Sequence, residues 1–407
     1  MPLGLPAHSH ITQDGLYAEK IDMSSHNLFL QRQLTNWLSR KIPTGGVRRV
    51  AALAASVASD IGNVRSENQD RAILAHGWDR EGRDFIVAVV ADGIGGMRNG
   101  GACASIAVGS FLAALHEQAH SASTNPENWL REAVNVSNRS VYDHFHGDGG
   151  STMVAAVLRP NRDAFWMSVG DSRVYEVFNR ELRQASIDDT IAGQLGKNAN
   201  VAAEQSKLLQ FIGMGDDLEV HISQINTECV QTIILTTDGI HYVAPTPKLL
   251  EAIFINATDL GVCAKRFLDL AKWCGGPDNA TVAILSLNEV LDLSPKMPYD
   301  FIEVWDAFGE IQIHLNDANI SESSFAPKQE VLPRQQYSRH RITRIKRDVV
   351  SDTVPDSSAS TDSEYLHVKD NNERQKNKPV PTKKTSTKPK ASKKVPQLLI
   401  DFPNKIN

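Results

Sequence analysis

Apolar residues run together or alternate with polar ones in seven short stretches of this chain: Val50–Val57, Asp84–Ala91, Thr152–Leu158, Ala164–Val169, Val174–Phe178, Val230–Thr236 and Ala280–Leu287. Runs of this length and texture predict strands. Other stretches carry the helical period. After Asn125, a good N-cap, and Pro126, a good first helical residue, Leu130, Ala133, Val134, Val141 and Phe145 recur at helical spacing. Ala102–Gln118 predicts a second helix, and Val262–Cys274 a third with Cys263, Phe267, Leu270 and Cys274 on one stripe. A short helix is expected around Asn27–Leu38. Two helices come together, then several strands, a mixed region, helices and a last strand. That order predicts an α+β layered fold rather than a parallel doubly wound sheet.

The texture also divides the chain. Residues 1–46, polar and ending at Pro43-Thr44-Gly45-Gly46, read as an N-terminal extension, and residues 47–288 as the principal domain. Residues 289–318 read as an accessory segment. Within it Phe301, Ile302, Val304, Trp305, Phe308, Ile311 and Ile313 are apolar enough to dock on the domain or on a partner, or to add strands. Residues 319–407 pass through an acidic Ser/Thr stretch (Ser351–Glu364) and a Lys/Pro/Thr/Ser stretch (Lys376–Lys394). Such sequence buries too little apolar surface to offset its ordering entropy, so a disordered tail is expected. Its last apolar residues, Leu398–Phe402, read as a docking peptide.

Composition narrows the class. With 407 residues, 41% hydrophobic and 22% charged, the chain is ordinary for a globular protein, and no apolar run approaches a membrane span. The first residues lack the pattern of a secretory signal, so the cytoplasm is the expected location. Four cysteines (Cys103, Cys229, Cys263, Cys274) stand far apart, which predicts buried free thiols rather than a zinc site or disulfides. The net charge of -5 conceals a basic run from Arg374 to Lys394, so the body before it must be acidic, which suits carboxylates that hold cations. The Lys-rich run could attract nucleic acid, but it has no interleaved aromatics. A linker presenting the terminal peptide to a partner is the preferred reading.

The candidate chemistry lies at the strand ends. The apolar run Phe85–Ala91 ends in Asp92-Gly93, Phe165–Gly170 in Asp171, Thr232–Thr237 in Asp238-Gly239, and Asp278-Asn279 immediately precedes the strand from Ala280. Any one of these acids would be an ordinary turn residue. Four of them converging at one edge would repel unless cations held them, and hard divalent ions suit an all-oxygen site. Upstream, Arg65 stands five residues before Asp70. An Arg beside such a cluster can clamp a phosphate through two parallel hydrogen bonds, and the combination points to phosphoryl chemistry.

Six segments in order carry a resemblance: Gly62–Asp70, Val90–Gly96, Gly150-Ser151-Thr152, Ser168–Arg173, Thr236–Gly239 and Pro277–Val282. The series resembles that of the type 2C protein phosphatases, the metal-dependent family, in its bacterial form, over about Ala51 to Leu287. The resemblance implies a four-layer β-sandwich of two antiparallel sheets flanked by helices, and hydrolysis of phosphoserine and phosphothreonine in proteins. It implies two Mn²⁺ or Mg²⁺ ions bridged by Asp92, with the Gly93 carbonyl on the second and Asp238 and Asp278 on the first. By the same resemblance Asp70 holds the water on the metals, Arg65 binds the phosphate, Asp171 with Asp238 holds a weaker third ion, Asn279 supports the site and Gly150-Ser151-Thr152 packs beneath it. The implied mechanism is attack on phosphorus by a metal-activated water without a phosphoenzyme. A monomer is expected, with phosphorylated proteins and a Ser/Thr kinase or a signalling or secretion assembly as partners.

The chain departs from the family pattern at four places. Gln69 stands where many members carry a metal-ligating Glu, Ile94 where eukaryotic members have a His proposed as general acid, and Tyr242 where an Asp is common; Asp188-Asp189 replaces the usual Asp-His. A second reading, from another class, is a pseudophosphatase or scaffold that binds phosphoproteins through its tail without turnover. The presence of the core aspartates and Arg65 favours the enzyme.

Overall fold

The computed structural model describes residues 27–315 apart from 95, 96, 98, 160–162, 196–206, 245–246 and 288–300. The expected tail from residue 319, its Lys-rich stretch and the Leu398–Phe402 peptide lie outside the described residues. In chain order the elements begin with α1 (residues 27–38), β1 (Gly45–Val50), β2 (Ala55–Asp60), β3 (Arg71–Trp78) and β4 (Asp84–Ala91). Next come α2 (Gly100–His120), α3 (Pro126–Phe145), β5 (Met153–Leu158), β6 (Ala164–Val169), β7 (Arg173–Phe178), β8 (Glu181–Gln184), α4 (Ile191–Leu195) and β9 (His221–Gln224). The series closes with β10 (Val230–Thr236), α5 (Asp238–His241), α6 (Pro247–Ile255), α7 (Leu260–Trp273), β11 (Ala280–Ser286), β12 (Phe301–Trp305) and β13 (Glu310–His314).

The strands form two antiparallel sheets, ordered β1-β2-β11-β10-β7-β8 and β13-β12-β3-β4-β5-β6-β9. Side-chain alternation sets the layers. Along β4, Phe85, Val87, Val89 and Ala91 pack with α1, α2 and α3, while Ile86, Ala88 and Val90 pack against the other sheet. Along β11, Val282 and Ile284 face α5, α6 and α7, while Ala283 and Leu285 face the first group. The result is the expected four-layer sandwich, helices on both outer faces. Both faces of these strands are covered, which is why they read as unbroken apolar runs instead of half-polar ones.

The long α3 starts where the sequence places it: the Asn125 side chain accepts a hydrogen bond from the Glu127 amide, and Pro126 opens the helix. Other expectations are corrected. Val50–Val57 is not one strand, because a 3₁₀ turn at Ala51–Leu53 and Ala54 at φ 47° reverse the chain, so Val50 pairs with Ala55 across β1 and β2. Of the cysteines only Cys103 and Cys263 are buried; Cys229 and Cys274 are exposed. Strand β3 escapes an apolar reading because Arg71, His76 and Gly77 interrupt it.

Two peripheral segments join the core. Leu30, Leu34 and Leu38, spaced by four on α1, are buried in the layer beside α2 and α3. Of the outcomes left open for Pro298–Leu315, the described part adds strands: β12 pairs with β13 and, through Glu303 opposite His76, with β3. Arg40 after α1 meets Asp306 between β12 and β13 at 2.6 Å, so the two segments also hold each other. Among the described residues no helix is long and apolar enough to cross a membrane.

Candidate active site

Antiparallel register brings the acids to one edge. Thr236 of β10 lies opposite Val282 of β11 and Arg173 of β7, so the ends that carry Asp238, Asp278 and Asp171 are neighbours in one sheet. In the other sheet Ala91 of β4 lies opposite Arg71 of β3, and Val90 opposite Val154 of β5, so Asp92, Asp70 and Thr152 are neighbours.

Gly150-Ser151-Thr152 holds the backbone after β4 in place. Thr152 N–H and Ser151 Oγ each donate to the Asp92 carbonyl at 2.8 Å, Thr152 Oγ1 accepts from Asp92 N–H at 3.1 Å, and the Ile94 amide donates to the Gly150 carbonyl at 3.1 Å. Gly93 lies so close to the start of α2 that a Cβ would come within 2.2 Å of the Gly100 carbonyl oxygen. At Gly239 a Cβ would come within 1.9 Å of the Asn279 carbonyl oxygen, so the residue after Asp238 must be glycine for β10 and β11 to end side by side.

The carboxylates converge on Asp92. After burial, the charges of Asp70 and Asp238 act on it most strongly. Buried carboxylates this closely coupled require a proton or a cation among them. Burial, followed by mutual repulsion, pushes Asp238 up to about 8 and holds Asp92 well above the usual carboxylate range. Burial raises Asp70 to about 6, against a hydrogen bond from the Thr237 hydroxyl. Among the described residues, the buried carboxylate oxygens without a hydrogen-bond partner are Asp70 Oδ1 and Asp238 Oδ1. Orphaned, desolvated oxygens of this kind are what a hard divalent ion takes up. No three His, Cys, Asp or Glu side chains among the described residues are placed to hold a metal ion together. Asp278 Oδ2 is held by Arg65 Nη2 at 2.6 Å, at the exposed side of the cluster.

Asn279 ties the Arg65 loop to this cluster. Its Oδ1 accepts the Gln69 amide at 2.8 Å, and its Nδ2 donates to the carbonyls of Ile61 and Glu67 at 2.9 and 3.0 Å. Asp70 Oδ2 accepts from Thr237 Oγ1 at 2.9 Å, Thr237 Oγ1 accepts from Thr281 N–H at 3.0 Å, and Thr281 Oγ1 meets Ser59 Oγ at 2.8 Å. These threonines orient Asp70, and the sequence marks them only as strand-forming residues. Asp171 stands on the far side of Asp238, where burial and Asp188 raise it to about 6, and its Oδ2 accepts from the Tyr242 phenol at 3.2 Å. Asp188 binds Arg173 through both carboxylate oxygens, at 2.7 to 3.1 Å, and Asp189 accepts the Gly170 amide at 2.9 Å. The Asp188-Asp189 pair therefore braces both flanks of the turn that carries Asp171.

Comparison with known proteins adds to this geometry. Residues 63–266 match the family described as Protein phosphatase 2C. The chain is similar to the serine/threonine phosphatase stp of Listeria welshimeri, 27% identical over 243 residues that cover 56% of this chain and 94% of that protein. It is similar to the protein phosphatase PhpP of Streptococcus pneumoniae, 24% identical over 246 residues, covering 58% of this chain and 97% of that one. In fold it resembles the crystal structure of the serine/threonine phosphatase Stp1 from Staphylococcus aureus, with TM-score 0.51 and 19% identity over 62% of this chain and 99% of that chain.

Proposed function

Since this chain belongs to the protein phosphatase 2C family, we propose that it hydrolyses phosphoserine and phosphothreonine in proteins, with water as the nucleophile and divalent metal ions at the acid cluster. The observation that carries the reading is the pair of orphaned buried carboxylate oxygens on Asp70 and Asp238, the two acids whose charges act most strongly on buried Asp92. Asp92, Asp238 and Asp278, with the Gly93 carbonyl, are the residues that would hold Mn²⁺ or Mg²⁺. Bound there, the ions supply acidification of water and neutralisation of charge on the phosphoryl oxygens.

The remaining chemistry belongs to side chains. Arg65 is 43% exposed and faces solvent beside Asp278, so its planar fork can turn from one carboxylate oxygen to two oxygens of a phosphate. Asp70 is fixed through Oδ2 by Thr237, which leaves Oδ1 to accept a hydrogen bond from the attacking water and aim it. Asn279 keeps Arg65 and Asp70 at a constant distance from Asp278 by holding the loop between them. Ile94 carries no exchangeable proton on its side chain, so the leaving serine or threonine oxygen takes its proton from water or from another group. In a cell such an activity acts opposite a Ser/Thr kinase.

Phosphate release from phosphoserine and phosphothreonine peptides, with Mn²⁺ and then with EDTA, tests the proposal. We expect release with Mn²⁺ that EDTA abolishes. A folded protein that releases no phosphate from either peptide would leave the scaffold reading in its place.

A further inference from the structure

Resting on that reading of the acid cluster, a further assignment concerns Asp171 and Tyr242. A third ion between Asp171 and Asp238 would require Asp171 to offer an open carboxylate. The residue instead serves as a hydrogen-bond acceptor, with its Oδ2 taking the Tyr242 phenol at 3.2 Å.

Tyr242 reaches this position by helical geometry. It lies four residues after Asp238, and its amide donates to the Asp238 carbonyl at 2.9 Å, so one turn of α5 stacks it on the same face. Its ring is fixed from two sides. His241 meets it edge to face, with ring centroids 4.7 Å apart, and the Arg173 guanidinium lies 5.4 Å from its centroid. Arg173 in turn is held by three hydrogen bonds to Asp188, whose carboxylate is buried and also accepts from Gln184 at 3.1 Å.

The neighbourhood of Asp171 therefore contains a fixed guanidinium and a fixed phenol. A dication entering there would have to displace the hydrogen bond that Tyr242 already makes to Asp171. At the position where an acid is common in the family, this chain has a group that donates a proton bridge and offers no charge for ligation.

We propose that the Tyr242 phenol replaces a third metal ion at Asp171, so that Asp171 positions Tyr242 at the rim of the site and the protein binds two ions rather than three. Asp171, included above among the family-implied ligands, is thereby reassigned as a positioning residue.

The test is a count of bound Mn²⁺ on the full-length protein by calorimetric titration and by the loss of the free-ion electron paramagnetic resonance signal. We expect two ions in the wild type, two in Asp171→Asn, and three in Tyr242→Asp, which restores a carboxylate beside Asp171. Loss of any ion in Asp171→Asn, or three ions in the wild type, overturns the proposal. The Asp171→Asn comparison decides the matter even if Tyr242→Asp fails to fold. A wild-type count of zero would defeat the underlying two-ion reading and this proposal with it, whereas a wild-type count of three that falls to two in Asp171→Asn would overturn this proposal alone.

Discussion

The Asn279 side-chain oxygen accepts the backbone N–H of Gln69 at 2.8 Å, and its amide nitrogen holds the carbonyls of Ile61 and Glu67. One buried side chain thereby fixes the loop that presents Arg65 and Asp70 against the turn that presents Asp278. Asn279→Ala removes three partly buried hydrogen bonds, each contributing about 0.5–1.5 kcal/mol. We expect a lower melting temperature and a fall in kcat at saturating Mn²⁺, measured by thermal denaturation and steady-state kinetics on one preparation.

Arg65 is paired with Asp278 and exposed, so it can be exchanged without disturbing the core. Arg65→Ala should raise KM for a phosphopeptide by about ten-fold or more, because a charge-assisted pair of hydrogen bonds is lost. Arg65→Lys should recover only part of this, since an ammonium cannot present two parallel donors. An unchanged KM in Arg65→Ala would separate this residue from phosphate binding.

The acids give a signed pH dependence. Asp70, at about 6, and Asp238, at about 8, are both raised above the ordinary value of roughly 4. A raised carboxylate binds its proton more tightly in the folded state, so its stabilising effect is complete below about pH 4 and is lost as pH rises through those folded values. Ions compete with the same protons, so ion affinity rises over that interval. Metal-stripped protein should melt at a lower temperature at pH 8.5 than at pH 5, and the gain on adding Mn²⁺ should be larger at pH 8.5. Equal gains at both values would contradict the cluster as drawn.

Leu34 of α1 and Ile302 of β12 are both fully buried in the layer beside α2 and α3. Leu34→Ala and Ile302→Ala should each cost about 2–5 kcal/mol, the range for emptied core positions. Chemical denaturation measures this directly. A cost near zero would show that the flanking segments only lean on the sandwich.

Much of the candidate site was legible because acids at strand ends leave a local mark: an apolar run that stops at Asp92, Asp171 or Asp238. The layered fold was legible for the same reason, since strands covered on both faces read as unbroken apolar runs. What escaped depends on partners distant in sequence. Strand β3 contains Arg71 and His76, polar residues tolerated there because Arg71 bonds the Leu38 carbonyl and Ser105, and His76 bonds Asp84 and Glu303. Thr237 orients Asp70 through a hydroxyl that the Thr281 amide holds in turn, and a strand pattern treats both threonines only as β-forming residues. Arg65 was read from its spacing to Asp70, yet in the structure its bonded partner is Asp278, at a sequence separation of 213. The phenol at Asp171 was visible only as a departure from a family pattern; its role follows from the Arg173–Asp188 pair that fixes it.

The central claim is that Asp92 is the residue around which the ion site and the hydrolytic chemistry are built. Hydrolysis of an aryl phosphate with saturating Mn²⁺, compared between the wild type and Asp92→Ala, tests it most directly. The account predicts Mn²⁺-dependent turnover in the wild type and a loss of at least about 10³-fold in the variant, on the scale of removing a principal stabiliser of transition-state charge. Equal rates in the two proteins, whether measurable or negligible, would contradict it.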